Sequence, residues 1–398
     1  MTCVYDAVVL GAGVAGSAAA KALADCGWST ALLDRHRFPR HKVCGEFLSP
    51  ESQGTLARLG LEEAVKELSP SRITRTELYM HRGGAIAIPL PGAAYGISRY
   101  LLDAILLRAA ETAGVLVRQG MTALSVQRRG ELYEITARTG HGNGTEKLLA
   151  RSVIGAWGGA GLKGIVREGL SHAAESYVGV KMHYRARSDG RSGQSGSEAV
   201  ELYFFEGGYL GLNAVEDGNL NAAALLRRDD IPASHRSVAA MLEEAAARHP
   251  RLRERMADLT ALPETASAVS PVRISLRPVP WADMPLIGDA VCRIPPLCGD
   301  GMSMALRSAE LCVTFADRYL RGGLTLPQWE RAYSAALMRE FRRPLRWGRL
   351  AQALLGSPLL SHALPGLARA APWAAAGMVR ATRLSARVLK SHPELKGQ

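Results

Sequence analysis

Residues 4–34 read VYDAVVLGAGVAGSAAAKALADCGWSTALLD, and this stretch decides the fold. Val4 to Leu10 is a short apolar run suited to a buried parallel strand, Ser17 to Cys26 is an alanine-rich helix, and Trp28 to Leu33 is a second strand that ends at Asp34. Between the first strand and the helix lies Gly11-Ala12-Gly13-Val14-Ala15-Gly16. Gly11 permits the tight turn, Gly13 lets a pyrophosphate approach the backbone, and Gly16 lets the helix lie close on the strand. Phosphates then sit at a helix N-terminus, beside Ala15, where free N–H groups and the helix dipole favour anions. Asp34 stands eighteen residues past Gly16 and is placed to accept hydrogen bonds from an adenosine ribose. Arg35, next to it, is placed to lie along the adenine or its phosphate. Strand, glycines, helix, strand and terminal acid all agree on a dinucleotide-binding βαβ unit.

A chain of 398 residues suits two domains, or one large α/β domain with an inserted second layer. With 47% hydrophobic and 22% charged residues and 41 glycines, it has the profile of a folded α/β enzyme, and disorder is not expected. The net charge of +12 invites a nucleic-acid reading, but its placement argues against one. Residues 331–398 carry twelve Lys or Arg against Glu340 and Glu394, so nearly all the excess lies in one tail. The six cysteines are scattered without the close pairs of a zinc site or a redox CxxC, so no metal is expected and free thiols in a reducing cytoplasm are. Met1 to Leu10 has no basic segment followed by an apolar one and a cleavage site, which points to a cytoplasmic protein. The most apolar long window, Leu350 to Val379, is broken by Pro358, Pro365 and Pro372 and does not suit a membrane span.

Three further patches add to the fingerprint. Ser98-Arg99-Tyr100-Leu101-Leu102-Asp103 opens an apolar-periodic helix running to about Ala113. Pro285-Leu286-Ile287-Gly288-Asp289-Ala290 is followed by Pro295-Pro296-Leu297-Cys298-Gly299-Asp300-Gly301-Met302 and a helix from about Ser303. Phe38-Pro39-Arg40-His41-Lys42-Val43-Cys44-Gly45-Glu46-Phe47-Leu48-Ser49-Pro50 follows the second strand. Together they resemble the FAD-dependent oxidoreductase superfamily of para-hydroxybenzoate-hydroxylase type, which includes aromatic monooxygenases, geranylgeranyl reductases and flavin-dependent halogenases. The resemblance covers roughly residues 1 to 320. It implies FAD as cofactor, with Arg99 against the FAD phosphates or flavin edge and Asp289, in its pair with Gly288, on the ribityl chain. It also implies that the turn of Pro296, Gly299, Gly301 and Met302 aims a helix N-terminus at the flavin's pyrimidine edge, where charge accumulates on reduction. The segment containing Lys42, Cys44 and Gly45 is similar to the Pro-x-x-Lys-x-Cys-Gly loop of geranylgeranyl reductases, which packs near the isoalloxazine. Read on composition alone, Arg99 is an ordinary residue at a helix start, Cys44 a small buried hydrophobe and Lys42 a solvated cation.

The chain also departs from these relatives. Hydroxylases carry Gly-Ala-Asp-Gly where this sequence has Gly155-Ala156-Trp157-Gly158, which leaves NAD(P)H as reductant open and admits a separate electron donor. The aromatic-proline strings of the reductases and tryptophan halogenases are absent. In their place, Tyr203 to Asn213 reads as two strands around the Gly207-Gly208 turn, with Tyr203, Phe205 and Tyr209 expected either on a cavity floor or in the core. Glu46, His183, Tyr184 and Tyr209 are candidates for acid–base work by type and region.

The expected architecture is an α/β fold: a discontinuous FAD-binding, Rossmann-like domain of residues 1–75, 98–168 and 278–320, with an inserted β-sheet substrate domain of 76–97 and 172–276. Ser188 to Ser197 reads as a mobile loop. Residues 321–398 form a basic helical region, either a cap on the substrate domain or an interfacial face for peripheral membrane contact. The expected activity is monooxygenation of an aromatic or polyketide-like hydrophobic metabolite through a flavin hydroperoxide. The alternatives are reduction of carbon–carbon double bonds in a prenyl or polyene substrate, and a non-catalytic flavoprotein.

Overall fold

The computed structural model describes residues 3–81, 84–140, 144–159, 176–187, 198–231, 237–356 and 380–384, with the single helical positions 366, 373 and 377. The chain opens with β1 (Val4–Leu10), α1 (Val14–Asp25) and β2 (Thr30–Asp34), as the fingerprint requires. After a long loop come β3 (Phe47–Leu48), α2 (Pro50–Arg58), α3 (Glu62–Lys66), β4 (Ser71–Tyr79), β5 (Ala85–Gly96) and α4 (Arg99–Thr112). Then follow β6 (Leu116–Gln119), β7 (Met121–Arg129), β8 (Leu132–Thr139) and β9 (Thr145–Gly155). The second half holds β10 (Tyr177–Ala186), β11 (Ala199–Phe205), β12 (Gly208–Ala214), β13 (Asn219–Arg227), α5 (Val238–Ala247), α6 (Pro250–Ala257) and β14 (Leu259–Val272). It closes on α7 (Gly301–Leu320) and α8 (Leu326–Gly356).

Two sheets organise these elements. The first has the order β6-β2-β1-β9-β8-β7, its first four strands parallel and its last two an antiparallel addition. Ala7 to Leu10 are all buried because helices cover both faces of a parallel sheet, which is why this strand reads as an unbroken apolar run. A side chain at Gly16 would run into the Gly11 carbonyl, so glycine is what lets α1 sit directly on the turn after β1. The second sheet has the order β14-β10-β13-β12-β11-β4-β5-β3. Its strands alternate: Val180, Met182, Tyr184, Tyr203, Phe205, Leu210 and Leu212 pack on one face with Leu242 and Leu252 of α5 and α6. The other face looks towards the nucleotide-binding unit.

Three expectations change on contact with this architecture. The substrate sheet begins at Ser71 and borrows Phe47–Leu48, because β5 needs a partner on each side. The start of the basic tail caps the nucleotide-binding unit: Trp329, Tyr333, Leu337 and Phe341 of α8 are buried in its core, and only near Leu355 does the helix meet the substrate sheet. Tyr203, Phe205 and Tyr184 face α5 and α6, because strand alternation turns them away from the side that carries Tyr209. The Ser188–Ser197 loop lies outside the described residues.

Candidate functional site

One cavity of about 570 Å³ runs from the glycine turn after β1 to the inner face of the second sheet. At the nucleotide end its wall is made by Gly11, Gly13, Ala15, Asp34 and Arg35, and Gly16 supports that wall from behind. Gly11 has φ +113°, and Gly13 is the N-cap of α1 with no side chain capping the helix. A Cβ at Gly13 would meet only the Arg99 guanidinium, at 3.7 Å, so the space in front of these free N–H groups belongs to a ligand. Asp34 accepts from the backbone N–H of Ala12 and of His36, both at 2.7 Å, which fixes its carboxylate at the strand end facing the cavity.

Cations converge here. Arg99 is buried at the start of α4 and donates twice to Asp103, at 2.9 and 2.7 Å, a fork pre-set by the i,i+4 spacing. Burial disfavours its charge, but Asp103 and the adjacent Cys44 thiol outweigh that and raise its pKa. Lys42 is held below the ordinary lysine range by Arg99 first and by burial second, with Asp289 opposing both. Arg40, also at the cavity wall, has its pKa lowered by burial, and its Nε is buried without a hydrogen-bond partner among the described residues. An orphaned guanidinium donor, a lysine under repulsion and a glycine cradle at a helix N-terminus fit a pyrophosphate that supplies the missing negative charge.

The far wall of this end is built by α7 and the segment before it. Gly288 has φ +63° and donates to Ser308 Oγ at 2.8 Å, which sets Asp289 at the cavity. Gly299, at φ +71°, turns the chain under Phe47, and with Pro296, Gly301 and Met302 it presents the N-terminus of α7 to the cavity. Asp289 therefore lines the space and Asp300 does not. Asp300 is almost fully buried, its oxygens accept no hydrogen bond of ordinary geometry among the described residues, and burial pushes its pKa up to about 7 although Arg383, 3.6 Å away, and Ser49 partly offset that.

Glu46 sits in the left-handed region, φ +52°, with no exposure. Its Oε1 accepts from the Arg99 N–H and from Lys181 Nζ, both at 3.0 Å, and its Oε2 lies 2.6 Å from His183 Nε2. Burial would raise its pKa, yet His183, Lys181 and the Arg99 N–H hold it lower than usual. Lys181 Nζ is also 2.9 Å from His183 Nε2 and 3.3 Å from His41 Nδ1. Lys181 and His183 point to the cavity side of β10 because they are two residues apart. Thus Glu46 and His183 are brought together, while Tyr209 lies apart on β12, lining the cavity with its hydroxyl kept protonated by burial.

Sequence reading missed Arg40, His41, Lys181 and Arg383. Arg40 and His41 stand inside the quoted loop, and Lys181 shares a strand face with His183, so period-two alternation could have found it. Arg383 reaches the cavity from the tail, held by Glu51 at 3.0 Å, and no local signal marks it.

Fold and site define a flavoprotein oxidoreductase. Residues 4–322 match the family described as FAD binding domain, and the chain belongs to that family. It is 27% identical over 370 residues to a menaquinone reductase of Mycolicibacterium smegmatis, covering 89% of this chain and 85% of that protein. It is 26% identical over 379 residues to digeranylgeranylglycerophospholipid reductase 2 of Methanopyrus kandleri, covering 92% and 90%. Squalene monooxygenase SE1 of Panax ginseng is 29% identical over 157 residues, 37% of this chain and 29% of that protein. Among solved structures the flavin-dependent brominase Bmp2 superposes with a TM-score of 0.77 at 15% identity over 96% of this chain and 93% of its own, a likeness of fold.

Proposed function

We propose that this chain is an FAD-dependent monooxygenase that oxygenates an electron-rich carbon of an aromatic or polyketide-like hydrophobic substrate. The observation that carries the reading is the change in the cavity along its length. Cations and glycine N–H groups line one end, and Val200, Leu202, Ala223, Leu225, Val269 and Val272 line the other. FAD held in this cavity would supply the electrons and the activation of dioxygen. Gly11, Gly13, Arg40, Lys42 and Arg99 would hold its phosphates, Asp34 its adenosine ribose and Asp289 its ribityl chain. The apolar end excludes water and aligns the substrate. Tyr209 offers it a hydroxyl, and Glu46, backed by His183 and Lys181, handles protons at the cavity edge. Trp157, on the cavity wall where hydroxylases carry an aspartate, favours a reductant other than directly docked NAD(P)H.

A second reading is reduction of carbon–carbon double bonds. The menaquinone reductase and the digeranylgeranylglycerophospholipid reductase are matched over 85% and 90% of their length, and the loop carries Lys42 and Cys44. Oxygen uptake by photoreduced holoprotein, with and without alkyl-substituted phenols, separates the two. Uptake coupled to a hydroxylated product supports the first reading, whereas anaerobic consumption of a prenyl or polyene probe with no oxygen dependence replaces it with the second.

A further inference from the structure

His41 lines the cavity without belonging to any of the phosphate or ribose contacts. Its ring is stacked on Tyr100 of α4 (centroids 4.7 Å, planes 26° apart) and meets the His183 ring edge-on at 5.5 Å, so it has little freedom to turn. Its Nδ1 is 3.3 Å from Lys181 Nζ. A lysine ammonium has donors and no acceptor, so Nδ1 must be the unprotonated nitrogen and the ring hydrogen belongs to Nε2. Nε2 has no hydrogen-bond partner among the described residues. Lys181 also donates to Glu46 Oε1, whose other oxygen takes the His183 Nε2 hydrogen, so the lysine cannot swing away without leaving a buried carboxylate short of a partner.

We propose that His41 is a substrate-positioning residue, a neutral imidazole locked by Lys181 as the Nε2–H tautomer, which donates a hydrogen bond to an oxygen acceptor, a carbonyl, quinone or phenolate oxygen, on the bound substrate. This rests on the reading of the cavity as the substrate site. A neutral donor suits such an oxygen because it polarises it without giving up a proton, whereas an imidazolium would be an acid. The groups facing the ring agree. Burial, Lys181 and His183 of β10 lower its pKa to about 4, outweighing Glu46 of its own loop and Glu264 of β14, while Tyr100 of α4 adds only its ring face. Because the folded pKa lies below the unfolded one, the ring stays neutral throughout the neutral range, and the folded state loses stability only as pH falls from about 6.5 towards 4.

Two measurements on the intact FAD-loaded protein test this. Nitrogen NMR of ¹⁵N-histidine-labelled protein, with His41→Gln used for assignment, should show His41 protonated at Nε2 alone from pH 6 to 9. Protonation at Nδ1, or a titration near 6.5, overturns the proposal whatever reaction the enzyme performs. The second measurement follows flavin absorbance during titration with 2-acetylnaphthalene and 2-ethylnaphthalene, two probes of one shape with and without the oxygen. His41→Phe should weaken the acetyl probe about tenfold and leave the ethyl probe unchanged, and His41→Gln, which keeps an N–H donor, should restore most of the loss. Equal losses for both probes, or no loss for either, would place His41 in packing only. If neither probe binds wild-type protein, the substrate-site reading fails while the tautomer result still stands or falls by itself.

Discussion

Asp289 and Asp300 look alike in sequence, each beside glycines near the start of α7, yet their surroundings give them different work. Asp289 faces the cavity and Asp300 is enclosed behind it. Asp289→Ala should therefore weaken FAD retention, measured as a flavin dissociation constant, while Asp300→Asn should leave it nearly unchanged; equal losses would mean the register of the ribityl contact is misread. Asp300 should instead govern stability. Its pKa is raised from 3.8 to about 7, so folding retains a proton that the unfolded chain gives up, and stability falls as pH climbs through that window and stays low above it. Asp300→Asn removes the penalty and sacrifices no helix cap, since the Asp300 side chain makes none. The variant should gain on the order of a few kcal/mol at pH 8 by urea denaturation, and the gain should vanish towards pH 4. The Gly288–Asp289 pair marks one of them in the sequence, and the structure adds that the turn at Gly299 leaves Asp300 behind the wall.

The first strand, helix and second strand were readable because their signals are local: an apolar run, three glycines and an acid at set spacing. The observed helix begins at Val14 rather than Ser17, since Gly16 already lies within its first turn. Helix α4 was readable for the same reason, and Ser98 caps it through its side chain, accepting from the Leu101 N–H. Helix α8 was legible as a helix but not in its partner. Its buried positions Trp329, Tyr333, Leu337 and Phe341 recur at helical spacing, and only the packing shows that they meet α7 and the segment before it. Tyr333 donates to the Leu286 carbonyl at 2.6 Å, two residues before the Gly288–Asp289 turn. Tyr333→Phe should cost about 1–3 kcal/mol by urea denaturation, because a buried acceptor is left unpaired. Truncation after residue 330 should leave aggregated, flavin-poor protein, and a soluble yellow truncation would refute the cap.

Most of the excess positive charge lies in residues 331–398, although Arg40, Lys42 and Arg99 gather at the cofactor end and Arg383 of the tail reaches the cavity. Past the buried stretch of α8, Arg342, Arg343, Arg346 and Arg349 are exposed, with Trp347 and Leu350 exposed at 40% and 46% among them. No helix among the described residues is long and apolar enough to cross a membrane. We propose that this end touches anionic lipid, because exposed arginines interleaved with apolar side chains suit an interfacial surface. Intact protein should co-sediment with anionic vesicles at low ionic strength and be released as salt rises, since the screening length falls from about 10 Å at 0.1 M to about 3 Å at 1 M. Trp347→Ala with Arg346→Ala should weaken that association without changing flavin content. No co-sedimentation at any salt would leave the arginines as a solvated face.

The nucleotide-binding unit and the family it belongs to were legible in the chain alone, because the signals are residues close in sequence whose spacing encodes a turn, a helix start or a strand end. Which polar groups come together, at the cavity wall or buried behind it, follows from tertiary packing alone. Glu46, His41 and Arg40 come from one loop, Lys181 and His183 from a strand more than a hundred residues on, and Arg383 from the tail. Their distances are set by how the second sheet seats against the first and by which strand face each residue occupies. Those are properties of packing between distant segments, and no local pattern carries them.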